Sequence, residues 1–451
     1  MSDTICAIST ALGVGAISII RVSGSDAIKI VNQLFSGKNL EEVETHTIHY
    51  GFIVENEEKI DEVLVSVMRS PRTFTREDIV EINCHGGIAT TNKVLELLLL
   101  NGCRLAEPGE FTKRAFLNGR MNLMEAEAVM DLINGKTEES RRVAINNMQG
   151  AGSKLISKLR EDLSNIISNI EVNIDYPEYQ DIYEVTVNDL ENKLKHFKES
   201  LEKIVREYSD GKIITDGIKT VIVGRPNVGK SSILNKLLND NKAIVTDIPG
   251  TTRDIVEGSI SFNGILLNII DTAGIRETSD VVEKIGVEKS LAKIDEADLV
   301  LVILNNNEEL NEVDKDILEK TKNKTSIVVI NKNDLESKID NKYLENREVI
   351  FTNTIDLLGI DSLKDKITKM FNLEEIKKSD YNYITNTRQI AKIKECLGKV
   401  YEIEEGLKNE IPLDMLEIDL RDIWNILGEI IGESYTEELL DELFSKFCVG
   451  K

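Results

Sequence analysis

Hydrophobic positions along the chain change period three times. Residues 1 to about 118 mix short β-like runs with helical stretches; the runs are Ala16-Ile17-Ser18-Ile19-Ile20, Val63-Leu64-Val65-Ser66-Val67 and Ile79-Val80-Glu81-Ile82. From about Asn122 to Asp210 no run reads as a strand. Leu155, Leu159, Leu163, Ile166 and Ile170 recur at helical spacing, as do Leu190, Leu194, Phe197 and Leu201. Strand–helix alternation resumes between Gly217 and Phe371, and from Thr385 the pattern is helical again, through Met415–Leu420 to Leu439–Phe444. The longest apolar run, Leu97 to Leu100, predicts a short buried helix. Neither helical segment closes a core alone, so the pattern predicts one helical domain built from both, with the alternating domain inserted between them. The expected fold is α/β plus all-α: an α/β domain over 1–118, a helical first part over 119–215, the inserted domain over 216–374 and a helical second part over 375–451.

Length and composition fit a soluble globular chain of several domains, with 451 residues, 41% hydrophobic and 30% charged. The net charge of −24 argues against bulk attraction to nucleic acid or to an anionic membrane, while leaving room for a local basic patch. Five scattered cysteines without a C-x-x-C pair argue against a disulfide framework and for a reducing, cytoplasmic setting. No apolar run approaches the length of a membrane span, and the first residues lack a basic leader, so no membrane association is expected.

The inserted domain carries the chemistry. Gly224-Arg225-Pro226-Asn227-Val228-Gly229-Lys230-Ser231 fits G-x-x-x-x-G-K-[ST] between a buried run, Thr220–Val223, and a helical one, Ser232–Leu238. Backbone N–H groups of such a loop and of the helix start cradle phosphates; Lys230 adds a positive charge and Ser231 a Mg²⁺ ligand. Asp271-Thr272-Ala273-Gly274 ends the apolar run 264–270, placing an acid where it reaches Mg²⁺ through water and Gly274 where its N–H meets a γ-phosphate. Asn331-Lys332-Asn333-Asp334 ends Ser326–Ile330, and the Asp334 carboxylate can accept both N1–H and N2–H of guanine, a pair adenine lacks. Three strand-end motifs in this order predict a GTPase.

The position that holds a water-orienting glutamine in Ras-like proteins is Ile275 here, which cannot act on water. Glu277, Asp280 and Glu283 follow closely and are the polar candidates. Asn227 sits where a side-chain amide can bind a monovalent cation beside the phosphates, or can equally stabilise its own turn.

Gly250-Thr251-Thr252-Arg253-Asp254, together with the apolar residue after Asp-Thr-Ala-Gly, resembles the bacterial translation-associated GTPases. Outside that domain, Pro108–Arg120 (PGEFTKRAFLNGR), Glu125–Ile133 (EAEAVMDLI) and the ending Phe447-Cys448-Val449-Gly450-Lys451 are similar to the signatures of the MnmE (TrmE) family of tRNA-modification GTPases. The resemblance implies a homodimer formed through a folate-binding N-terminal domain. It also implies a heterotetramer with an FAD-dependent MnmG-like partner, and modification of tRNA at C5 of the wobble uridine by an aminomethyl or carboxymethylaminomethyl group. The cofactors implied are GTP, Mg²⁺, K⁺ and 5-formyl- or methylene-tetrahydrofolate.

Residue by residue, the resemblance implies nucleotide contacts from Asn227, Val228, Gly229, Lys230, Ser231 and Ser232, and from Thr246, Asp247, Ile248, Pro249, Gly250, Thr251 and Thr252. Asp271, Thr272, Ala273, Gly274, Asn331, Lys332 and Asp334 complete that set. Ser231 and Thr252 would hold Mg²⁺, while Asn227, Thr246, Ile248 and Thr251 would hold K⁺. The catalytic candidates are Lys230, Glu283, which would orient water, and Cys448 of the tail. Folate contacts carry over to Arg21, Glu81, Arg120 and Lys451; Arg120 stands where the family usually has lysine. A carboxylate can accept paired N–H bonds from a pterin and an arginine can bind a glutamate tail, although Glu81 also reads as an ordinary outward strand residue. His85 beside Cys84 is a weak metal pair, since no further ligands cluster nearby. The rival from another class is a GTP-switched ribosome-assembly factor, which shares the GTPase motifs but needs a basic RNA-binding module that this sequence does not display.

Overall fold

Alternating side chains build the first sheet. The computed structural model describes residues 3–175, 180–239, 243–244, 258–262, 264–270, 293–353, 359–378 and 384–451. In chain order the first elements are β1 (Ile5–Ile8), β2 (Ile17–Ser23), α1 (Ala27–Leu34), β3 (Phe35–Ser36), β4 (Thr47–Glu55), β5 (Glu58–Met68), β6 (Ile79–His85), α2 (Ile88–Leu100), β7 (Arg104–Leu105) and α3 (Glu110–Leu117). The strands form one sheet in the order β3-β4-β5-β6-β2-β1-β7, antiparallel except for the β1–β7 edge. Val63, Val65 and Val67 face inward with Ile20, Val22 and Ile82 and pack against Val31 and Leu34 of α1 and Val94, Leu97 and Leu98 of α2.

One expectation is corrected here, and one strand is new. The Leu97–Leu100 run is only half buried: Leu99 and Leu100 are exposed, because a helix packed on one sheet face cannot turn four consecutive residues inward. The strand β4 was not anticipated, since its outward positions Ile48 and Tyr50 are apolar and blur the period-two pattern.

Next come α4 (Leu123–Asn134), α5 (Glu138–Met148), α6 (Ala151–Asp175) and α7 (Gln180–Asp216), with no strand among the described residues of this stretch. The last stretch is helical too, with α12 (Thr387–Lys408), α13 (Leu413–Ile431) and α14 (Glu437–Ser445). The final helix begins just before the Leu439–Phe444 stretch and ends just after it. Thr436 is its N-cap, accepting from Leu439 N–H at 3.2 Å, and the helix stops at Ser445.

Between them lie β8 (Ile218–Val223), α8 (Lys230–Asn239), β9 (Ala243–Ile244), β10 (Gly258–Phe262), β11 (Ile265–Ile270), β12 (Leu299–Asn305), α9 (Glu312–Lys320), β13 (Ser326–Asn331), β14 (Glu348–Phe351), α10 (Ile360–Met370) and α11 (Leu373–Lys378). The sheet order is β14-β13-β12-β8-β11-β10-β9, parallel from β14 to β11 and antiparallel beyond. Every residue of β12 is buried, as expected of a strand covered on both faces. Ile222, Leu301 and Val329 face one layer with Ile233 and Leu237 of α8 and Leu363 and Ile367 of α10. Val221, Val300, Val302 and Val328 face the other with Ile317 and Leu318 of α9. The order in which strands are added switches sides at β8, with β11 on one side and β12 on the other, and ligands of such sheets bind at the carboxyl ends beside that switch.

By contact, the chain divides into two compact units: residues 1–130, 153–193 and 398–451 form one, and 131–152 and 194–397 form the other. In the second unit, Val143 of α5 and Ile214 of α7 join the core of the parallel sheet. No helix among the described residues is long and apolar enough to cross a membrane.

Gly217 joins α7 to β8 at φ +79°, and a Cβ there would stand 2.5 Å from Leu266 O. Gly217→Ala should therefore cost about 2 kcal/mol or more, seen as a lower urea midpoint at unchanged slope. An unaltered midpoint would show that this junction relaxes freely.

Candidate functional site: a phosphate cradle and a docked tail

Strand β8 ends at Val223 and is followed by Gly224, where a Cβ would collide with Ile303 O of the adjacent strand. The chain then turns through Asn227, at φ +63°, buries Val228 and passes Gly229 at φ +100° into α8. A side chain at Gly229 would collide with Asn331 Nδ2, so two positions of the loop exclude any Cβ because neighbouring elements press on them. Lys230 opens α8, and its Nζ donates to Gly224 O at 2.8 Å and Arg225 O at 2.7 Å, which holds the ammonium over the loop. A helix start, successive loop N–H groups and one lysine make an anion cradle.

The end of β13 is tied to that cradle. Asn331 is buried and its Nδ2 donates to Val228 O at 2.9 Å, while its Oδ1 accepts from Thr352 Oγ1 at 3.4 Å. Lys332, at φ +62°, extends Nζ to Asn227 O at 3.3 Å. Asn333 N–H donates to Thr352 O, and the exposed Asp334 follows on the same turn. Thr352 and Asn353 of the guanine-flanking stretch are buried; Thr354 and Ile355 lie outside the described residues.

The structure therefore brings together Asn227, Val228, Gly229, Lys230, Ser231 and Ser232 with Asn331, Lys332 and Asp334. Thr246, Asp247, Ile248, Pro249, Gly250, Thr251, Thr252, Asp271, Thr272, Ala273, Gly274 and Glu283, with Ile275, Glu277 and Asp280, lie outside the described residues.

Sequence reasoning missed a second brace. Arg225, a variable position of the loop motif, pairs with the fully buried Asp314 at 2.8 Å and with Glu308 at 3.2 Å. Burial pushes the Asp314 carboxyl up, against the pull of Asn311 N–H and the Arg225 charge. Asn306, also buried, donates from Nδ2 to Leu335 O at 2.9 Å and from its N–H to Asn331 O. Nothing in the spacing announces these partners, which come from a helix and a strand end distant in sequence.

In the other unit, Arg21 and Glu81 are directly opposite across β2 and β6, with Nε to Oε1 at 2.9 Å. Glu81 is thus paired and half-buried. Arg21 Nη1 also donates to Gly450 O at 3.3 Å. The last residues lie against the same surface: Gly109 N–H donates to Cys448 O, Phe111 N–H to Lys451 O and Ser9 Oγ to Gly450 O. Gly450, at φ +91°, leaves only 2.6 Å between a Cβ and Ile8 O, so this close approach requires glycine. Arg21 and Arg120 both lie over the Phe74 ring, at 5.9 and 4.7 Å from its centre. Arg21, Glu81, Arg120 and Lys451 are therefore neighbours, and Cys448 is exposed beside them.

Cys84 is buried, its thiol is pushed up by that burial, and it donates to Ser18 O at 3.3 Å; His85 Nδ1 instead meets Asp61 at 2.7 Å. Those two point to separate partners. No group of three metal-ligating side chains occurs among the described residues.

Two family models match the chain: "GTP-binding protein TrmE N-terminus" over residues 4–120 and "MnmE helical domain" over residues 123–448. A relative from Bacillus cereus named tRNA modification GTPase MnmE is 52% identical over 455 residues, spanning 100% of this chain and 99% of that protein. One of the same name from Bacillus cytotoxicus is 51% identical over 100% of this chain and 99% of its own. Among solved structures, the G domain of the T. maritima FeoB iron transporter is 29% identical, covering 34% of this chain and 98% of that one at a TM-score of 0.25. Era from Aquifex aeolicus bound to GDP and AlF4⁻ is 31% identical, covering 34% and 56%, at a TM-score of 0.26.

Asn331→Ala removes the tie shared by the cradle and the base-reading turn while leaving Asp334 in place. It should weaken GTP and GDP alike by about tenfold to a hundredfold, the cost of an orphaned buried carbonyl and a loosened loop. Isothermal titration giving parental affinities would show that the tie does not order the site.

Proposed function

The chain belongs to the MnmE family of tRNA modification GTPases, and we propose that it hydrolyses GTP to drive one-carbon modification at C5 of the wobble uridine of certain tRNAs. It works as a cytoplasmic homodimer joined to an FAD-dependent MnmG-like partner, and the carbon comes from a tetrahydrofolate. The observation that carries this reading is the C-terminal tail docked against the Arg21–Glu81 pair. A ribosome-assembly factor has no use for that arrangement, and the full-length relatives are named for tRNA modification.

GTP hydrolysis in tRNA modification follows from the family, and the residues present fit the nucleotide. Gly224 and Gly229 leave backbone where a Cβ would collide, and Lys230 stands at a helix start. In this reading Lys230 exchanges its two loop carbonyls for phosphate oxygens, and Asp334 accepts from guanine N1–H and N2–H. Ser231 and Thr252 would hold Mg²⁺, and Asn227 with Thr246, Ile248 and Thr251 would hold K⁺; bound there, the cations supply positive charge against the developing negative charge of the phosphoryl group. Glu283 would orient the attacking water.

The folate surface also fits. Glu81 offers a carboxylate fixed by Arg21, suited to paired N–H donors, and Arg120 and Lys451 offer cations for a glutamate tail. Cys448 is exposed beside this surface, where it could meet substrate.

Turnover should be several-fold faster in KCl than in NaCl at equal ionic strength, and Asn227→Ala should erase the difference while sparing nucleotide affinity. Equal rates in the two salts would remove potassium from the mechanism.

Mass spectrometry of wobble uridines tests the whole reading. Cells lacking this chain should carry unmodified uridine, and the full chain should restore the modification. A chain truncated after Phe447 should keep GTP hydrolysis yet fail to restore it. Intact modification with stalled ribosomal subunits in the deletion strain would favour the assembly-factor reading instead.

A further inference from the structure

Most of the described arginines of this acidic chain are neutralised by carboxylates, as Arg21, Arg104, Arg114, Arg160, Arg225 and Arg421 are. In the first unit Arg76 and Arg120, which feel each other's charge, are not, nor is Arg72 on the loop that carries Arg76. Arg76 donates to Asn118 O at 3.0 Å and Arg120 to Phe74 O at 3.0 Å, both backbone carbonyls, and Arg72 is exposed on the same loop. Among the described residues, no carboxylate lies within ion-pair distance of any of the three. A Cβ on Gly119 would lie 3.6 Å from Arg76 Nη1, which sets Arg76 beside the Gly119–Arg120 backbone. Burial and then the Arg76 charge hold the Arg120 guanidinium below its usual value.

The nearby acids are occupied elsewhere. Glu77 binds Arg114 and Ser23, and Asp78 accepts from Ser70 N–H. The loop is stiff as well: Ser70 Oγ donates to Arg76 O and Thr73 Oγ1 to Glu77 O. Like charges gathered without counter-charges, on a braced loop, cost free energy that a bound polyanion recovers.

Beside them opens a cleft of about 480 Å³, lined by Arg120, Gly119, Phe116, Tyr435, Glu125 and Glu433 among others. Its two acids are also engaged, Glu433 with Arg160 at 2.5 Å and Glu125 with Asn122 N–H and Ser153 Oγ. Tyr435 stands edge-on to Phe116, 5.2 Å between ring centres, and is 44% exposed, which leaves ring surface open to a planar partner. The volume suits one small ligand.

We propose that this surface receives the anticodon arm of the tRNA, with backbone phosphates on Arg72 and Arg76, Arg120 remaining with the folate carboxylates beside them, and one unstacked base against Tyr435 in the cleft. The inference rests on the tRNA-modification reading and names the surface that reading lacks. Sequence-tolerant contact of this kind combines a cationic track with an aromatic platform, and both are present within one small region of a chain whose net charge is −24.

Fluorescence anisotropy of the full chain with a labelled anticodon stem-loop, read against KCl concentration, tests it. The double variant R72A/R76A should weaken binding about tenfold or more at low salt. Its salt slope should be shallower by roughly 1.4, at about 0.7 per phosphate contact on single-stranded RNA. R72K/R76K should keep most of the slope, because a point charge suffices for phosphate. Tyr435→Ala should lower affinity about tenfold with the slope unchanged, as lost stacking does. GTP hydrolysis should be parental in all three, which also reports folding. Failure of the parent to bind the stem-loop overturns the proposal, as does parental affinity and slope in R72A/R76A. A loss confined to 5-formyltetrahydrofolate binding also overturns it, and would assign the cluster to folate carboxylates. If cells lacking the chain lose the wobble modification while R72A/R76A binds RNA normally, this surface falls and the functional reading stands.

Discussion

A single buried amide fixes the geometry on which the nucleotide site depends. Asn331 leaves the end of β13, reaches under the phosphate loop and donates to Val228 O, while Thr352 donates to its other side. An unpaired carbonyl at Val228 would cost on the order of 1–3 kcal/mol, so loop and strand end move as one piece. The requirement for glycine at position 229 follows from this, because the amide occupies the space a Cβ would take. Arg225 anchors the other shoulder of the loop to Asp314, a carboxylate held in the interior by that partner and by the N-terminal turn of α9. With both shoulders fixed, the N–H groups between them are organised before any anion arrives, and little ordering cost remains at binding.

What was legible in the sequence follows from where the chemistry sits. Strand-end motifs are readable because a buried strand writes an apolar run and the motif begins where that run must stop; Ile218–Val223 before Gly224 and Ser326–Ile330 before Asn331 are both of this kind. The braces were not readable. Arg225 pairs with a residue of another helix, and Asn306 acts through its own backbone and through Leu335 O, so neither leaves a local pattern. The Leu97–Leu100 run misled for a related reason: hydrophobicity counts residues, whereas burial depends on the single face that α2 turns to the sheet.

Charge shows the same division between bulk and place. A net charge of −24 describes the surface average, and most of the acid is spent on helix faces and short-range pairs such as Glu138 with Arg141 and Arg142. Such exposed pairs contribute little stability. The arginines at positions 72, 76 and 120 matter because their surroundings withhold what the rest of the surface supplies in excess. Composition therefore excludes a generally basic protein without excluding a small basic surface, and only geometry can tell the two apart.

The tail illustrates how a terminus acquires a position. Cys448, Gly450 and Lys451 are held mainly through backbone carbonyls, which accept from Gly109 N–H, Ser9 Oγ, Arg21 Nη1 and Phe111 N–H. Backbone contacts constrain the path of a segment while leaving its side chains free, so the Cys448 thiol and Lys451 amine are available for chemistry rather than consumed by docking. The one side-chain constraint is a negative one, at Gly450, where Ile8 O stands too close for any Cβ. Arg21 then links the two halves of this surface, giving one edge of its guanidinium to Glu81 and the other to Gly450 O. Any ligand that competes for Glu81 must share or displace that arginine.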